Sequence, residues 1–196
     1  PGFYHGTQYD LAGFCVGIVE KDQIIDGARV KLGIKIIGLP SSGPHSNGFS
    51  LIRKILAAKE LSNEKLIDEI MNPTKIYVKS ILSLIEKTTV NAMVHITGGG
   101  FYENIRRILP SEDLSALIDT SAWQRHDCFS WLQDAGNISE REMLTTFNCG
   151  IGYLLMVDAD NTEKAIEVLK QENENPIIIG EVVEKGRTAK ASEILV

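Results

Sequence analysis

The sequence is poor in what would tie it to a membrane, an oxidising compartment or a nucleic acid. No apolar run approaches the ~18 residues of a membrane span, and none reads as a signal peptide. The three cysteines (Cys15, Cys128 and Cys149) lie far apart and form no C-x-x-C, so they read as reduced thiols of a cytoplasmic protein. Aromatics make up only 7% and do not interleave with basic residues, so no base-stacking platform is visible. A net charge of −6 argues against a phosphate backbone as the main partner, and no nucleic-acid or membrane partner is expected. There is no G-x-S-x-G, no G-x-G-x-x-G and no Asp/Glu spacing that would gather a metal, which removes the nucleophile elbow, the Rossmann fingerprint and a self-contained metal site.

What is present is an ordinary globular composition, 43% hydrophobic and 23% charged over 196 residues. Strand-like and helix-like segments alternate. Strands are expected at Tyr9–Lys21, Ile34–Leu39, Val90–Ile96, within "SALIDT", "YLLMV" and "PIIIGEVVEKG", and in the tail "TAKASEILV". Helices are expected over Asn47–Ala58 with a face of Ile52, Ile55 and Leu56, and in "NEKLIDEIM" before Asn72-Pro73. Further helices are expected in "TKIYVKSILSLIEK" (Ile81, Leu82 and Ile85 on one side), after the glycines of "TGGGFYENIRRIL", and in "DCFSWLQDA" with Gly136 as its C′ residue. The last two are "SEREMLTTF", with a Ser139/Glu142 capping box, and "DADNTEKAIEVLKQE". The pattern predicts an α/β (α+β) fold with a mixed β-sheet packed with helices.

Three glycine-rich stretches stand out. "SSGPHSNGFS" (Ser41–Ser50) lies between strand and helix. Gly43-x-x-x-x-Gly48 has P-loop spacing, but Phe49-Ser50 stands where Lys-Ser/Thr should follow. Its glycines and the next helix N-terminus could still hold an anion, with Ser41, Ser42, Ser46 and Asn47 as donors and His45 as a source of charge or a proton. The alternative is a plain turn in which Ser46 or Asn47 caps the helix. "HITGGGFYEN" (His95–Asn104) has three successive glycines, which cost backbone entropy and point to a close neighbour or to a flexible turn. His95 itself reads as a core or edge histidine. In "TFNCGIG" (Thr146–Gly152), Gly150 and Gly152 suggest a bulge or close backbone approach, and Cys149 reads as a buried thiol. Trp123 and Trp131 read as core, His126 as a surface residue, and His5 in "PGFYHG" as an open candidate.

In this order, "PGFYHG…YDLAGFCVGIVE", "GLPSSGPHSNGFSLIRKIL", "NPTKIYVKS", "HITGGGFYENI" and "TFNCGIG" closely resemble phosphoribosylformylglycinamidine cyclo-ligase, the aminoimidazole ribonucleotide synthetase family, almost end to end. The resemblance implies ATP-dependent closure of formylglycinamidine ribonucleotide to aminoimidazole ribonucleotide in purine biosynthesis, releasing ADP and phosphate. It implies that ATP phosphorylates the formyl amide oxygen, a poor leaving group, before the amidine nitrogen attacks. It implies substrate contacts at Ser41, Ser42, Gly43, Ser46, Asn47, Gly48, Thr97, Gly98, Gly99, Gly100 and Asn104, with Asn148 and Gly150 also in the cleft, and His45 as the catalytic candidate. One departure is Arg106, where many relatives have the proline of "ENIPR".

The family's N-terminal domain, which carries the groups for ATP and Mg, has no counterpart here beyond residues 1–24. The resemblance therefore implies an end piece over 1–24, a C-terminal synthetase domain over 25–196, and a homodimer formed mostly through the other domain. Such a piece would be inactive alone. Two other readings stay open: another ATP-dependent enzyme of the superfamily, such as a selenophosphate synthetase or thiamine-phosphate kinase, or a non-catalytic binding or dimerisation module.

Overall fold

The computed structural model describes residues 12–60 and 62–196. His5 and the rest of "PGFYHG" lie outside them. Residues 12–20 belong to no strand, contrary to the expectation for Tyr9–Lys21, and a short 3-10 turn follows at Lys21–Gln23. Phe14, Val16 and Ile18 alternate as in a strand but are exposed. A strand needs a neighbour to take its N–H and C=O groups, and no strand of the sheet described below pairs with these residues.

Six strands form one sheet: β1 (Lys35–Pro40), β2 (Ala92–His95), β3 (Leu114–Asp119), β4 (Ile151–Val157), β5 (Ile177–Glu184) and β6 (Glu193–Leu195). Their spatial order is β2-β4-β1-β5-β3-β6, and every pairing is antiparallel. The expected class, strands alternating with helices, holds as α+β; the sheet is antiparallel throughout rather than mixed. Because β4 opposes both β1 and β2, and β5 opposes both β1 and β3, the first three strands run one way and the last three the other. Each helical crossover among β1, β2 and β3 returns in the same direction, as the alternation implies. The slot it leaves is filled by a strand from the second half of the chain, which no local pattern reveals.

Helices cover both faces. Strand residues divide with period two: Ile36, Leu154 and Met156 enter one core, and Ile37, Leu39, Leu155 and Val157 the other. The first core takes Ile52 and Ile55 of α1 (Phe49–Ala58), Leu66 and Ile70 of α2 (Glu64–Met71), and Phe101 and Ile105 of α4 (Gly100–Arg106). It also takes Phe129 and Leu132 of α5 (Asp127–Gly136) and Met143 and Leu144 of α6 (Glu140–Thr146). The second core is built by α3 (Val78–Lys87) and α7 (Thr162–Gln171).

Some details differ from the sequence reading. Helix α3 starts at Val78 rather than near Thr74, and it buries Ile81 and Leu84 while Leu82 is exposed. The left-handed residue ending α5 is Asn137, not Gly136. A Cβ on Gly136 would stand 2.8 Å from Ile55 Cδ1, so a larger residue there would push the Ile55 and Ile138 side chains aside. Ser139 caps α6 by accepting the Glu142 amide, as expected.

The antiparallel weave decides what meets at one end of the sheet. Pro40 at the end of β1 stands opposite Ile151 at the start of β4, and His95 at the end of β2 stands opposite Tyr153. The register slips between Leu39 and Pro40, which leaves Gly152 as the extra residue of a bulge. All three glycine-rich stretches therefore emerge at the same edge.

Candidate functional site

Residues 41–48, 97–99 and 147–150 form three adjoining loops at that edge. Asn148 joins the first to the third. Its Oδ1 accepts from the Ser41 hydroxyl at 3.2 Å and from the Gly150 amide at 2.9 Å, and its Nδ2 donates to the Gly43 carbonyl at 2.8 Å. The Ser41 amide donates to the Gly150 carbonyl at 2.9 Å. Asn148 is buried, so the three bonds satisfy groups that water cannot reach. Asn104 does the same for the second loop: its Nδ2 donates to Gly100 O at 2.8 Å and Gly98 O at 3.1 Å. Ser41, Gly43, Asn104, Asn148 and Gly150 are thus buried braces of the loops.

What solvent can reach is narrower. Ser46 and Gly98 are exposed, and Asn47, Gly48, Thr97 and Gly99 are half-buried. Gly98 lies beside Asn47, whose Oδ1 would be 3.9 Å from a Cβ added there, so the first two loops share this rim. Helices α1 and α4 begin at the rim, with Gly48 and Gly99 as N-caps in left-handed conformation and no side-chain cap on either. The expected capping of α1 by Ser46 or Asn47 does not occur; Asn47 Nδ2 donates instead to His45 O at 2.8 Å. The start of α1 leaves amide hydrogens unengaged by side chains, which suits an anionic oxygen; at the start of α4 the Glu103 carboxylate lies against Gly99 and the Gly100 amide donates to Thr97 O at 3.0 Å.

The glycines divide by role. A Cβ at Gly100 would fall 2.0 Å from Leu144 O, and one at Gly48 would fall 2.2 Å from a Phe147 ring carbon. Those glycines are there for packing, whereas Gly98 faces open space.

His45 is only 2% exposed, and its φ is +54° with Ser46 at +60°. Its Nε2 accepts the Ser42 amide at 3.0 Å and the Lys75 amide at 3.3 Å. Nδ1 has no partner among the described residues. Burial, then the neighbouring His95, Lys75 and His126, pull its pKa down to about 4. Ser42 extends the tie: its hydroxyl donates to Pro73 O at 2.6 Å, and its carbonyl accepts from Asn72 Nδ2 at 3.0 Å.

Several neighbours escaped the sequence reading. His126 is half-buried rather than a surface residue, and its Nε2 donates to Ser41 O at 2.9 Å. Trp123, expected in the core, also donates Nε1–H to Cys149 O at 2.8 Å. Tyr77 donates to Pro40 O at 2.8 Å and packs edge-on to both His45 and His95. An apolar cleft of about 420 Å³, lined by Ile76, Tyr77, Leu82, His95 and Tyr153, opens next to this cluster. The signal for Tyr77 was the "NPTKIYVK" stretch, which carried the family resemblance and a helix boundary but no role for the tyrosine. Cys149 is fully buried, and burial pushes its thiol up to about 12, so it is no nucleophile as it stands.

Two cations beside the loops are committed elsewhere. Lys75 Nζ lies 2.6 Å from the buried carboxylate of Glu174, and Arg125 pairs with Glu140. Among the described residues, no three His, Cys, Asp or Glu side chains converge as a metal site. No helix is long and apolar enough to cross a membrane among those residues.

The family model for "AIR synthase related protein, C-terminal domain" matches residues 31–191. Thiamine-monophosphate kinase from Stenotrophomonas maltophilia K279a superposes with a TM-score of 0.63 at 15% identity, covering 89% of this chain and 55% of that one. PurL from Thermotoga maritima complexed with AMPPCP gives 0.55 at 12% identity, over 90% and 27%. The same protein complexed with FGAR gives 0.55 at 12% identity, over 90% and 29%. Hydrogenase maturation protein HypE gives 0.56 at 17% identity, over 85% and 49%. At these identities the likeness is one of fold. The chain spans between 27% and 55% of the length of these proteins.

Proposed function

Because this chain belongs to the AIR synthase related family, carrying that family's C-terminal domain, we propose that its three loops form the substrate wall of an ATP-dependent enzyme and that the exposed rim holds the phosphate of a ribonucleotide. The observation that carries the reading is the uncapped start of α1 at Gly48, with no acidic residue in its first turn, set beside Ser46, Asn47 and Gly98. Backbone amides fixed by buried asparagines can meet an anion without reorganising, which is what orienting a ribonucleotide requires. The reaction we propose is closure of formylglycinamidine ribonucleotide to aminoimidazole ribonucleotide, on the strength of the motifs "SSGPHSNG", "HITGGG" and "TFNCGIG". FGAR bound to the similarly folded PurL supports a substrate of this class.

The fit to Mg-ATP is poor within this chain. The loops offer amides and neutral side chains, and no acidic cluster is present among the described residues. We therefore assign ATP and magnesium to a further domain of the full-length protein, with residues 1–24 as its end piece and 25–196 as the synthetase domain. That domain would also carry a homodimer contact. Bound ATP would supply phosphorylation of the formyl oxygen; the rim orients the ribonucleotide for it.

Titration of this chain with formylglycinamidine ribonucleotide, thiamine monophosphate and selenophosphate tests the assignment. Tightest binding of formylglycinamidine ribonucleotide is expected. Preference for either of the others would move the protein to another branch of the superfamily, and no binding to any would favour a non-catalytic module.

A further inference from the structure

We infer that His45 is a positioning residue whose neutral ring, protonated on Nδ1, uses Nε2 as a double acceptor to pin Ser42 against Lys75 and so fix Ser46 and Asn47 at the rim. A backbone amide can only donate. Two of them, from Ser42 at 3.0 Å and Lys75 at 3.3 Å, point at Nε2, so this nitrogen offers its lone pair and the proton sits on Nδ1. The Ser42 hydroxyl is also 3.0 Å from Nε2, but its hydrogen goes to Pro73 O at 2.6 Å, so that approach is a contact only.

A ring protonated on both nitrogens would turn Nε2–H against two amide hydrogens. Tyr77 and His95 pack edge-on around the ring, with centroids 6.1 Å and 5.8 Å away, and His126 and the Lys75 ammonium are the other titratable neighbours. None is an acidic group that would favour a charged imidazole.

The tie has something to hold. His45 and Ser46 are both left-handed, at about 1–2 kcal/mol each for residues with a Cβ. A loop bent this way stays in place only if its surroundings fasten it. Residues 42–45 are closed by Nε2, residues 45–47 by Asn47 Nδ2 on His45 O, and the whole loop is moored to residues 72–75 by Ser42, Asn72 and His45. The ring is closed to solvent behind the loop, whereas a proton-transferring residue must touch its substrate. The functional weight of the tie rests on the rim being the ligand site.

The decisive experiment joins NMR with two variants. In the ¹⁵N-labelled chain, couplings across the hydrogen bonds should connect His45 Nε2 to the Ser42 and Lys75 amides, with the ring proton on Nδ1. A proton on Nε2, or no such couplings, overturns the assignment. His45→Gln puts an amide oxygen near the place of Nε2, while His45→Leu keeps bulk without an acceptor. Affinity for formylglycinamidine ribonucleotide should stay within about threefold in the first and fall more than about tenfold in the second. Equal losses, or none in either, overturn the positioning role. If the leucine variant does not fold, the couplings and His45→Gln decide. If the unaltered chain does not bind the ribonucleotide, the rim reading fails, and the couplings alone still decide the role of His45.

Discussion

In the loop after β1, left-handed backbone falls on His45 and Ser46 as well as on Gly48; in the loop after β2, it falls on two glycines, Gly99 and Gly100. The second loop is relaxed. Glycine adopts its shape at no steric cost, and one side chain, Asn104, gathers its carbonyls. The first is strained at two residues with side chains, and it is held by hydrogen bonds to Asn148, His126 and residues 72–75. A turn needs no such outlay. The difference teaches that the β1 loop has its shape imposed from outside, which is the usual condition of a loop that must present groups in a fixed geometry.

The sharpest break in this comparison comes from the relaxed loop. Gly100→Ala drives a Cβ to 2.0 Å from the Leu144 carbonyl at a φ of +56°, and should cost more than about 3 kcal/mol in urea unfolding. Gly98→Ala, two residues away in open space, should cost less than about 0.5 kcal/mol yet weaken ribonucleotide binding by crowding the rim. Equal costs would mean that the glycines share one role.

Asn148→Ala tests the strained loop. It removes three buried hydrogen bonds and orphans the Gly43 carbonyl and the Gly150 amide, so a loss of about 2–3 kcal/mol is expected by the same unfolding measurement.

Acid should reveal His45. Its pKa is depressed to about 4 in the fold against an ordinary 6.5, so the unfolded chain takes up the proton first. Its share of the stability is complete above pH 6.5, falls as the pH drops through this window, and levels off below 4. His45→Gln should remove on the order of 3 kcal/mol of the stability lost across this window, read from urea midpoints. Burial lowers the His95 pKa too, so a residual slope of the same sign should remain.

Much of this was legible in the residues. The three motifs, their order and the elements between them could be read because glycine, proline and hydrophobic period act locally. Ser139 as a cap, Cys149 as a buried thiol and Gly152 at a bulge follow from short-range chemistry. The weave could not be read, because β4 reaches its place between β1 and β2 only through pairing with both. For the same reason no local pattern linked His45 to Lys75, thirty residues away. The environment of His126 was equally hidden: its partner Ser41 lies 85 positions earlier. Composition suggested donors facing a ligand, whereas folding spends Ser41, Asn104 and Asn148 on the loops themselves.

The smallest expected effect sharpens the comparison from the other side. Ser46→Gly relieves one left-handed residue and should raise stability by about 0.5 kcal/mol in thermal unfolding, since part of the gain is offset by a freer unfolded chain. It should nonetheless weaken anion binding, because a rim hydroxyl is lost. A stable variant with unchanged affinity would make Ser46 a turn residue.

The central claim is that the rim of Ser46, Asn47 and Gly98 receives a ribonucleotide through its phosphate. Amide chemical-shift titration of this chain with formylglycinamidine ribonucleotide, and with the same compound lacking its phosphate, tests it most directly. Shifts centred on Asn47–Ser50 and Gly98–Phe101 that vanish with the dephosphorylated compound are predicted. Identical shifts for the two compounds, or shifts confined to the apolar cleft beside Tyr77 and Tyr153, would contradict it.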